Sequence, residues 1–404
     1  MSVKTKVSVI KCGRNPSDEE VDSAVRKAIE LVGGIESIVS SGDRVLIKPN
    51  LVVARKPDEG VTTDPRICKT IADMIIEVGG KPIIAESSAV GINTEEAIKV
   101  AGYNSLREAG YEVIDLKKVD LVKVKVPKGK VLKEIPLPKI VVDSDVIISV
   151  AKMKTHDQAK VTLALKNMKG VVPDTYKRKF HTTLGVFQAV ADLCTVVTPS
   201  LSVIDGIVAQ EGLAPIYGTP VEMGLIIAGT DVVAVDAVTS VIMGFDPEEI
   251  EMLRIASELG LGTMNLNEIE VIGEKIESVK RRFKRADEAV FDAIKPPKGF
   301  ELVFSEKACT GCRDTVLSSL FDMNAEGILG KAENTIVIAG KVDSLPKTNK
   351  RIVLVGNCLS KFKDYGWFVP GCPPNNKDVV SGILGEERES RWLEFGAKEK
   401  EGVT

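Results

Sequence analysis

Histidine, glutamine and aromatic residues are scarce in this chain. Its 404 residues include two histidines and three glutamines, and aromatic residues make up only 4%. The 54 lysines and arginines nearly balance the 57 aspartates and glutamates, which argues against a general nucleic-acid-binding protein. Seven cysteines are too few for a disulfide-stabilised secreted protein of this length. Scarce glutamine beside abundant lysine and glutamate is typical of proteins from organisms that live at high temperature.

Sequence features that would indicate a particular cellular location or a nucleotide-binding site are also missing. No apolar leader follows Met1, and the most apolar stretch, residues 224–244, contains Asp231 and Asp236. We therefore expect a cytoplasmic protein with neither a signal peptide nor a membrane-spanning helix. Neither a G-x-G-x-x-G loop nor a Walker loop is present, so nothing in the sequence supports nicotinamide or ATP binding. A hydrophobic content of 44% nonetheless excludes a disordered chain.

Alternating strand-like and helix-like segments predict a layered α/β fold with parallel βαβ units. Ser17 and Glu20 have the spacing of a capping box, and Asp64 precedes a proline where a helix would begin. We predict an α/β domain over residues 1–295, in one or two lobes, with a mostly parallel sheet. A linker rich in proline and lysine then leads to a small metal- or cluster-binding domain, residues 296–404, which ends in a charged tail.

Four of the seven cysteines lie after residue 308. A C-x2-C turn brings two sulfur atoms to one centre, and two further cysteines would complete a tetrahedral zinc site or a cubane cluster. The sequence Gly371–Pro374 resembles the cluster-binding turn of small hydrogenase subunits and ferredoxins. We predict a 4Fe-4S cluster, with zinc as the second choice; ordinary buried thiols and a redox disulfide are the remaining alternatives. The predicted ligands are Cys309, Cys312, Cys358 and Cys372.

The densest group of polar residues lies between residues 152 and 181. Five lysines occur between 152 and 169 with one acid, Asp157, and both histidines, His156 and His181, lie in the same region. The segment follows a predicted buried strand, residues 145–150, and open α/β sheets place their sites at the carboxyl ends of strands. Clustered lysines there favour a carboxylate or phosphate ligand, although lysine-rich loops are commonly solvated surface. We predict a loop that binds a small anionic metabolite.

Residues after other predicted strands extend this site. Asp205 follows a strand predicted at residues 201–204, and Glu211 lies in a predicted loop, so both are candidate general bases or metal ligands. Lys48 and Asn50, together with a predicted helix start at Thr62 and Thr63, would form a phosphate cradle. The predicted catalytic residues are His156, Lys166, Lys154, Asp205 and Glu211, and the predicted ligand-binding residues are Lys48, Asn50, Thr62, Thr63, Lys152 and Asn167.

Six short motifs together carry a family resemblance. They are Lys48–Leu51, Thr62–Pro65, Lys152–His156, Leu165–Gly170, Asp205–Gly206 and Asp231–Asp236. With these motifs, the chain from about residue 5 to residue 262 resembles the family called domain of unknown function 362. The resemblance implies no settled reaction. It does imply an iron–sulfur module, which in that family is often of the bacterial ferredoxin kind, whose tight cysteine run is absent here.

The order His156, Lys166, His181 also resembles the nickel-pincer lactate racemases. That resemblance implies that His156 acts as an acid and base, that Lys166 carries a tethered nucleotide-derived cofactor, and that His181 binds a second metal. A desolvated lysine suits covalent attachment, and a neutral imidazole suits a late first-row metal. Where those racemases have another catalytic histidine, this chain has Glu86 followed by two serines.

Three functions remain open on the sequence alone. The favoured one is an iron–sulfur-containing, redox- or metal-dependent enzyme that acts on a small anionic metabolite. The second is a non-catalytic iron–sulfur protein that transfers electrons to a partner or assists assembly. The third is a nickel-pincer-type racemase or epimerase of 2-hydroxy acids. None of the three involves nucleic acid or a membrane.

Overall fold

The computed structural model describes residues 4–286, 288–289, 294–305, 308 and 310–386. The predicted ligand Cys309 and the charged tail from residue 387 onward lie outside the described residues. The strands are β1 Thr5–Lys11, β2 Arg44–Lys48, β3 Lys81–Glu86, β4 Val113–Asp115, β5 Leu121–Lys125, β6 Glu134–Pro138, β7 Val146–His156, β8 Lys160–Thr162, β9 Leu201–Glu211, β10 Thr219–Gly229, β11 Ile269–Gly273, β12 Glu301–Phe304, β13 Thr335–Ala339, β14 Arg351–Val355 and β15 Trp367–Val369.

Helices alternate with most of these strands. They are α1 Asp18–Glu30, α2 Pro65–Glu77, α3 Thr94–Val100, α4 Asn104–Glu108, α5 Lys139–Val142, α6 Ala164–Asn167, α7 Asp174–Lys179, α8 Val186–Cys194, α9 Val232–Ile242, α10 Glu251–Glu258, α11 Ile276–Val279, α12 Thr310–Ala325 and α13 Asn376–Leu384. Within the described ranges, no helix combines the length and apolar character needed to cross a bilayer.

Nine of the described strands form one mixed sheet. Its order is β11-β1-β10-β9-β7-β2-β3-β4, and the short β8 pairs with β7. The pairs β1–β11, β2–β3, β2–β7, β3–β4 and β7–β9 are parallel, whereas β10 runs antiparallel to both of its neighbours. Helices α1 and α2 pack into one hydrophobic cluster, and α8, α9 and α10 pack into another. The predicted layered α/β fold with a mostly parallel sheet is therefore confirmed.

The C-terminal part contains a second, smaller sheet. Its strands β12, β13, β14 and β15 are all parallel and lie in chain order. Helices α12 and α13 supply apolar residues to the core of this part. The last strand of the large sheet ends at Gly273, and the first strand of the small sheet begins at Glu301. The predicted linker lies between these two residues.

Capping residues explain where the first two long helices begin. The Ser17 hydroxyl accepts a hydrogen bond from the Glu20 N–H at 3.2 Å, and the Glu20 carboxylate accepts one from the Ser17 N–H at 2.7 Å. Asp64 accepts a hydrogen bond from the Arg66 N–H at 3.0 Å, and Pro65 occupies the first turn of α2. The predicted capping box and the predicted proline start are both present.

Two segments predicted as loops are strands instead. β7 continues through His156 because the hairpin partner β8 pairs with its last residues. Asp205 lies inside β9, and Glu211 is its last residue, because β10 pairs antiparallel with β9 over this whole length. The start of the lysine–histidine segment, Lys152–His156, is therefore buried strand and not a solvated loop.

Candidate functional site

A cavity of about 460 Å³ is lined by residues of both the α/β domain and the C-terminal domain. It sits at the carboxyl ends of β2, β3 and β7, and α12 and α13 close its opposite side. The polar residues of the α/β domain that line it are Lys48, Asn50, Glu86, Ser87, Lys154, His156, Asp157, Gln158, Thr162, Lys166, Asn167, Lys169, Lys177 and His181. The position agrees with the rule that open α/β sheets place sites beyond the carboxyl ends of their strands.

His156 lies between a carboxylate and an amine. Its Nδ1 is 2.9 Å from the Asp157 Oδ1, and its Nε2 is 3.0 Å from the Lys166 Nζ. Burial and the Lys166 cation lower the pKa of His156 to about 4, against the opposing effect of Asp157. Burial also lowers the pKa of Lys166 to about 8. At neutral pH the imidazole is therefore uncharged, and it is placed to exchange a proton with the neighbouring amine.

A buried carboxylate fixes the position of Lys166. Asp236, on α9, accepts hydrogen bonds from the N–H groups of Ala164 at 2.8 Å and Leu165 at 3.0 Å. These two contacts satisfy backbone donors at the start of α6, the short helix that carries Lys166. Burial raises the pKa of Asp236 to about 7, against the effect of these hydrogen bonds.

Lys169 and His181 form a second amine–imidazole pair. The Lys169 Nζ contacts the His181 Nε2, and His181 lies on a π-helical segment, Phe180–Leu184. Burial and the neighbouring cation Lys166 lower the pKa of Lys169. Burial and the nearby lysines likewise lower the pKa of His181. Both imidazoles of the chain thus face amines at the same cavity, and both are held uncharged at neutral pH.

Lys48 is the cation of a fixed ion pair in the cavity floor. Its Nζ donates to Glu86 Oε2 at 2.5 Å and to Asn167 Oδ1 at 3.0 Å. The Asn50 amide also donates to Asn167 Oδ1, at 3.1 Å. A Cβ added at Gly170 would lie 2.2 Å from Glu86 Oε1, so glycine is required beside this pair. These contacts bring together three of the predicted ligand-binding residues.

Two further lysines of the cavity wall donate hydrogen bonds to backbone carbonyl oxygens. Lys154 donates to the Val61 carbonyl at 2.7 Å, and Lys177 donates to the carbonyls of Ser87 at 2.7 Å and Ser88 at 2.6 Å. Burial lowers the pKa of Lys154, and it lowers the pKa of Lys177 to about 8. In the described part of the chain, no carboxylate lies within ion-pairing distance of Lys154, Lys166 or Lys169.

Three buried polar atoms of the cavity lining have no hydrogen-bond partner among the described residues. They are Gln158 Oε1, Thr162 Oγ1 and His181 Nδ1. Buried polar atoms are nearly always paired, because an unpaired one costs about 1–3 kcal/mol. The side chains that carry these three unpaired atoms therefore all belong to the cavity wall.

Other predicted site residues do not line this cavity. Lys152 and Asp205 form a buried ion pair with the Nζ and Oδ2 2.9 Å apart. Asp205 also accepts the Asp64 N–H at 2.8 Å, so it ties β9 to the start of α2. The pair therefore links secondary-structure elements beneath the cavity.

The remaining predicted residues make local contacts. Thr62 and Thr63 each donate a side-chain hydrogen bond to a backbone carbonyl at 2.9 Å. Glu211 accepts the Lys284 N–H at 2.9 Å and lies 3.4 Å from an Arg281 nitrogen. These contacts hold loops and chain crossings, and none of the three side chains reaches the cavity.

Cysteines of the C-terminal domain come from three separate segments. Cys312 lies in the first turn of α12, Cys358 follows β14 and Cys372 follows β15. A Cβ added at Gly356 would lie 2.9 Å from the Cys312 sulfur and 3.7 Å from the Cys358 sulfur. Two of the predicted ligand sulfurs therefore lie close to one point.

The loop that carries Cys372 is hydrogen-bonded to the loop that carries Cys358. The Gly371 N–H donates to the Asn357 Oδ1 at 2.8 Å, and the Asn357 N–H donates to the Gly371 carbonyl at 2.9 Å. Among the residues that the structure describes, which exclude Cys309, no group of three or more histidine, cysteine or acidic side chains is close enough to hold a metal ion.

The C-terminal domain supplies cavity residues that the sequence analysis missed. They are Ser318, Phe321, Asp322, Glu326, Asn375, Asn376, Lys377 and Val380. The Ser318 hydroxyl donates to the Asp157 Oδ2 at 2.8 Å. No sequence signal marks these positions, since they lie in or directly beside two ordinary helices more than 150 positions from His156. Glu86 was also missed, although its place at the end of β3 follows the strand-end rule used for the other residues.

Comparisons with known proteins give matches to a family model, to a curated protein and to a solved structure. A family model described as a domain of unknown function (DUF362) matches residues 45–240. A thylakoid-associated protein of Synechocystis sp. is 33% identical over 250 residues, which cover 59% of this chain and 75% of that protein. The structure of the lactate racemase apoprotein from Thermoanaerobacterium thermosaccharolyticum aligns over 95% of this chain and 91% of that chain, with a TM-score of 0.39 and 10% identity.

Proposed function

This chain belongs to the family described as a domain of unknown function (DUF362), and from that premise we propose that it is an enzyme of small-anion metabolism. In this proposal the interdomain cavity binds an anionic metabolite, and His156 accepts or returns a proton there. The observation that carries the proposal is the line of contacts from Asp157 through His156 to Lys166, with steps of 2.9 and 3.0 Å, at the wall of the cavity.

The lysines of the cavity support an anionic ligand. Lys154, Lys166 and Lys169 line one cavity without a carboxylate partner among the described residues. A buried cation without a counter-charge is costly, which is why burial lowers the pKa of each of these amines. A bound carboxylate or phosphate supplies the missing negative charge, and its arrival raises those pKa values again. Binding should therefore take up protons near pH 8.

Apolar and aromatic residues of the cavity lining support a ligand that also carries an apolar group. Ile216, Tyr217, Phe321 and Val380 line the cavity, and the rings of Tyr217 and Phe321 lie 6.2 Å apart. Tyr217 is 61% exposed, so its ring is accessible for contact with a ligand. A group of lysines together with an apolar and aromatic patch fits an organic acid or an organic phosphate better than a bare inorganic anion.

Calorimetry on the full chain tests this proposal. The probes are inorganic phosphate, acetate, phenyl phosphate and phenylacetate, titrated near pH 8 in two buffers of different ionisation enthalpy. We expect the phenyl compounds to bind about tenfold more tightly than their inorganic or short counterparts, with proton uptake. Lys166→Met should weaken binding at least tenfold, whereas Lys160→Met, which changes a lysine paired with Glu249 outside the cavity, should not. Equal weakening by both variants, or no binding of any probe, contradicts the proposal.

The tethered cofactor implied by the racemase resemblance finds suitable donors. Lys166 is a buried amine with a pKa near 8, and the Nδ1 of His181 lacks a partner among the described residues. Lys166 would hold the tether and His181 would ligate the metal, and the group would supply metal-centred redox chemistry when bound. Intact-mass analysis of native protein decides this, because a tether adds mass that Lys166→Met removes and Lys160→Met retains.

We also propose an iron–sulfur cluster in the C-terminal domain, with zinc as the second choice. Support comes from the Cys312 and Cys358 sulfurs, which lie near one point beside Gly356, and from the loop of Cys372, which is tied to the loop of Cys358. Cys309, in the C-x2-C pair, would be the fourth ligand. Such a cluster would supply or accept electrons at the cavity, to whose lining α12 also contributes.

Metal analysis after anaerobic purification tests the cluster. We expect about four irons and four sulfides per chain, lost in Cys358→Ser and retained in Cys194→Ser, which changes a cysteine buried in the α/β core. One zinc per chain without sulfide would favour a structural zinc site, and neither metal would contradict both. A non-catalytic electron carrier remains the alternative: it predicts normal cluster reduction and no effect of Lys166→Met on electron transfer.

A further inference from the structure

A lysine-rich hairpin differs in charge from the rest of the chain. Residues 117–139, which contain β5 and β6, include eight lysines and only two acids, Asp120 and Glu134. This surplus of six positive charges occurs in a chain whose net charge is −3, so the remainder of the chain is acidic. The exposed lysines of the hairpin are Lys118, Lys123, Lys125, Lys128, Lys130, Lys133 and Lys139. Positive charge is therefore concentrated on one surface element.

The inner side of the hairpin is anchored to the α/β domain. The Asp192 carboxylate, on α8, accepts hydrogen bonds from the N–H groups of Val131 at 2.8 Å and Leu132 at 2.9 Å, beside the hairpin tip. The buried hairpin residues that join the hydrophobic cluster of α8 are Val126, Leu132, Ile135 and Leu137. The hairpin therefore presents a fixed outer face to its surroundings.

Apolar side chains are exposed among these lysines. Leu121, Lys123 and Lys125 are exposed along β5 and alternate with more buried valines, as the strand period requires. Leu121 is 48% exposed, Val131 near the tip is 38% exposed, and Val142, on the helix α5 that follows β6, is 44% exposed. Three of the seven large hydrophobic side chains that are exposed in the described part of the chain thus lie in or directly after the hairpin.

Several of these lysines are available to a partner. Within the described ranges, no acid lies at ion-pairing distance from Lys125, Lys128 or Lys130, the three lysines nearest the tip. The pairs that do form, such as Lys123 with Glu134 at 3.3 Å, are exposed to solvent. Exposed pairs contribute little, so they offer little resistance to a competing anion.

Lysines interleaved with aliphatic side chains fit the surface of a bilayer that contains anionic lipids. Each lysine near such a surface raises the partition coefficient about fivefold, and aliphatic side chains enter the boundary between headgroups and acyl chains. Nucleic acid fits less well, because residues 117–139 contain no aromatic ring to stack on bases and no arginine to bind a phosphate at two points.

We propose that the outer face of this hairpin docks the protein onto an anionic bilayer surface. The lysines near the tip bind the lipid headgroups, and Leu121 and Val131 enter the interface. The inference departs from the expectation, made on the sequence, that no membrane takes part. It needs no spanning segment, and none of the described helices could cross a bilayer. It is independent of the proposed function, since none of residues 117–139 lines the cavity.

Co-sedimentation of the full chain with vesicles tests this inference. The vesicles contain phosphatidylcholine alone or with about 30% phosphatidylserine, in about 0.1 M salt. We expect at least tenfold stronger partitioning into the phosphatidylserine vesicles, and weaker binding in about 0.5 M salt. The combined variant Lys125→Gln, Lys128→Gln, Lys130→Gln should lower the partition coefficient at least tenfold. Leu121→Gln should lower it about threefold without changing its dependence on salt.

The matched control combines Lys27→Gln, Lys69→Gln and Lys81→Gln. These lysines are exposed and lie on α1, α2 and β3, and α1 and α2 pack into the other hydrophobic cluster. The control removes the same charge and should bind vesicles like the wild type. Equal loss in both triple variants, no preference for phosphatidylserine, or tighter binding to double-stranded DNA at the same salt overturns the inference. Both triple variants should keep wild-type affinity for phenyl phosphate, so a failure here is distinct from a failure of anion binding in the cavity.

Discussion

Lys152 and Lys166 come from the same short stretch of sequence, and both are almost completely buried, but their surroundings differ. Lys152 lies 2.9 Å from an Asp205 oxygen and ties strands together. Lys166 faces the neutral ring of His156 at the wall of a cavity. The two lysines therefore differ in role: the Lys152–Asp205 pair joins two strands, whereas burial lowers the pKa of Lys166, which lies at the cavity wall and remains available to a ligand.

Breaking the structural pair should have the largest effect on stability. Asp205→Ala leaves the Lys152 cation buried without its partner and removes the acceptor of the Asp64 N–H. We expect the free energy of unfolding to fall by about 3–5 kcal/mol, measured by urea denaturation. Asp205→Asn, which keeps a hydrogen-bond acceptor, should lose less. A loss below about 1 kcal/mol for Asp205→Ala would remove the distinction between the two lysines.

The unpaired lysine should make stability depend on alkaline pH. Burial lowers the pKa of Lys166 from 10.5 to about 8 in the folded protein. Between these values the unfolded chain binds more protons, so the free energy of unfolding rises with pH; the gain is absent below pH 8 and complete above pH 10.5. We expect Lys166 to contribute about 3 kcal/mol to this rise, from the difference between 10.5 and about 8 at about 1.4 kcal/mol per pKa unit.

Urea denaturation of wild type and Lys166→Met across that pH range isolates the contribution. The stability of the wild type relative to the variant should increase as the pH rises. Lys177, whose pKa is also lowered to about 8, should add a rise that both proteins share. A flat or falling difference would mean that Lys166 is not held near neutrality, and the contrast with Lys152 would lose its electrostatic basis.

The strand-end rule and residue spacing locate much of the site in advance. His156, Lys166 and His181 are close in the sequence and line one cavity, as do Lys48 and Asn50 at the end of β2. The hydrogen-bond and ion-pair partners of the buried side chains cannot be predicted from strand ends and spacing, because they depend on pairing between distant strands.

Asp205 shows why the rest of the site could not be predicted. The sequence predicts that Asp205 follows a strand at residues 201–204, but β9 continues to Glu211, and a Cβ at Gly206 would lie 2.8 Å from the Met153 side chain. Glycine is needed there for close packing inside the sheet and not for a turn. Ser318 could not be predicted at all, since its contact with Asp157 arises from the docking of a helix 161 positions away.

Only a small change in stability is expected when Lys166 itself is replaced, although that variant should weaken ligand binding. Lys166→Met removes an amine that burial destabilises as a cation, and it keeps a side chain of similar length. Near pH 7 the free energy of unfolding should stay the same or rise by about 1 kcal/mol, within the range measured when buried charged groups are replaced by apolar ones. Lys123→Met is the reference variant, because Lys123 forms only an exposed ion pair with Glu134. Its free energy of unfolding should differ from that of the wild type by about 0.5 kcal/mol or less. A fall of several kcal/mol in the free energy of unfolding of Lys166→Met would mean that this amine supports the fold as Lys152 does. Lys166 would then no longer be a candidate for ligand binding beside His156.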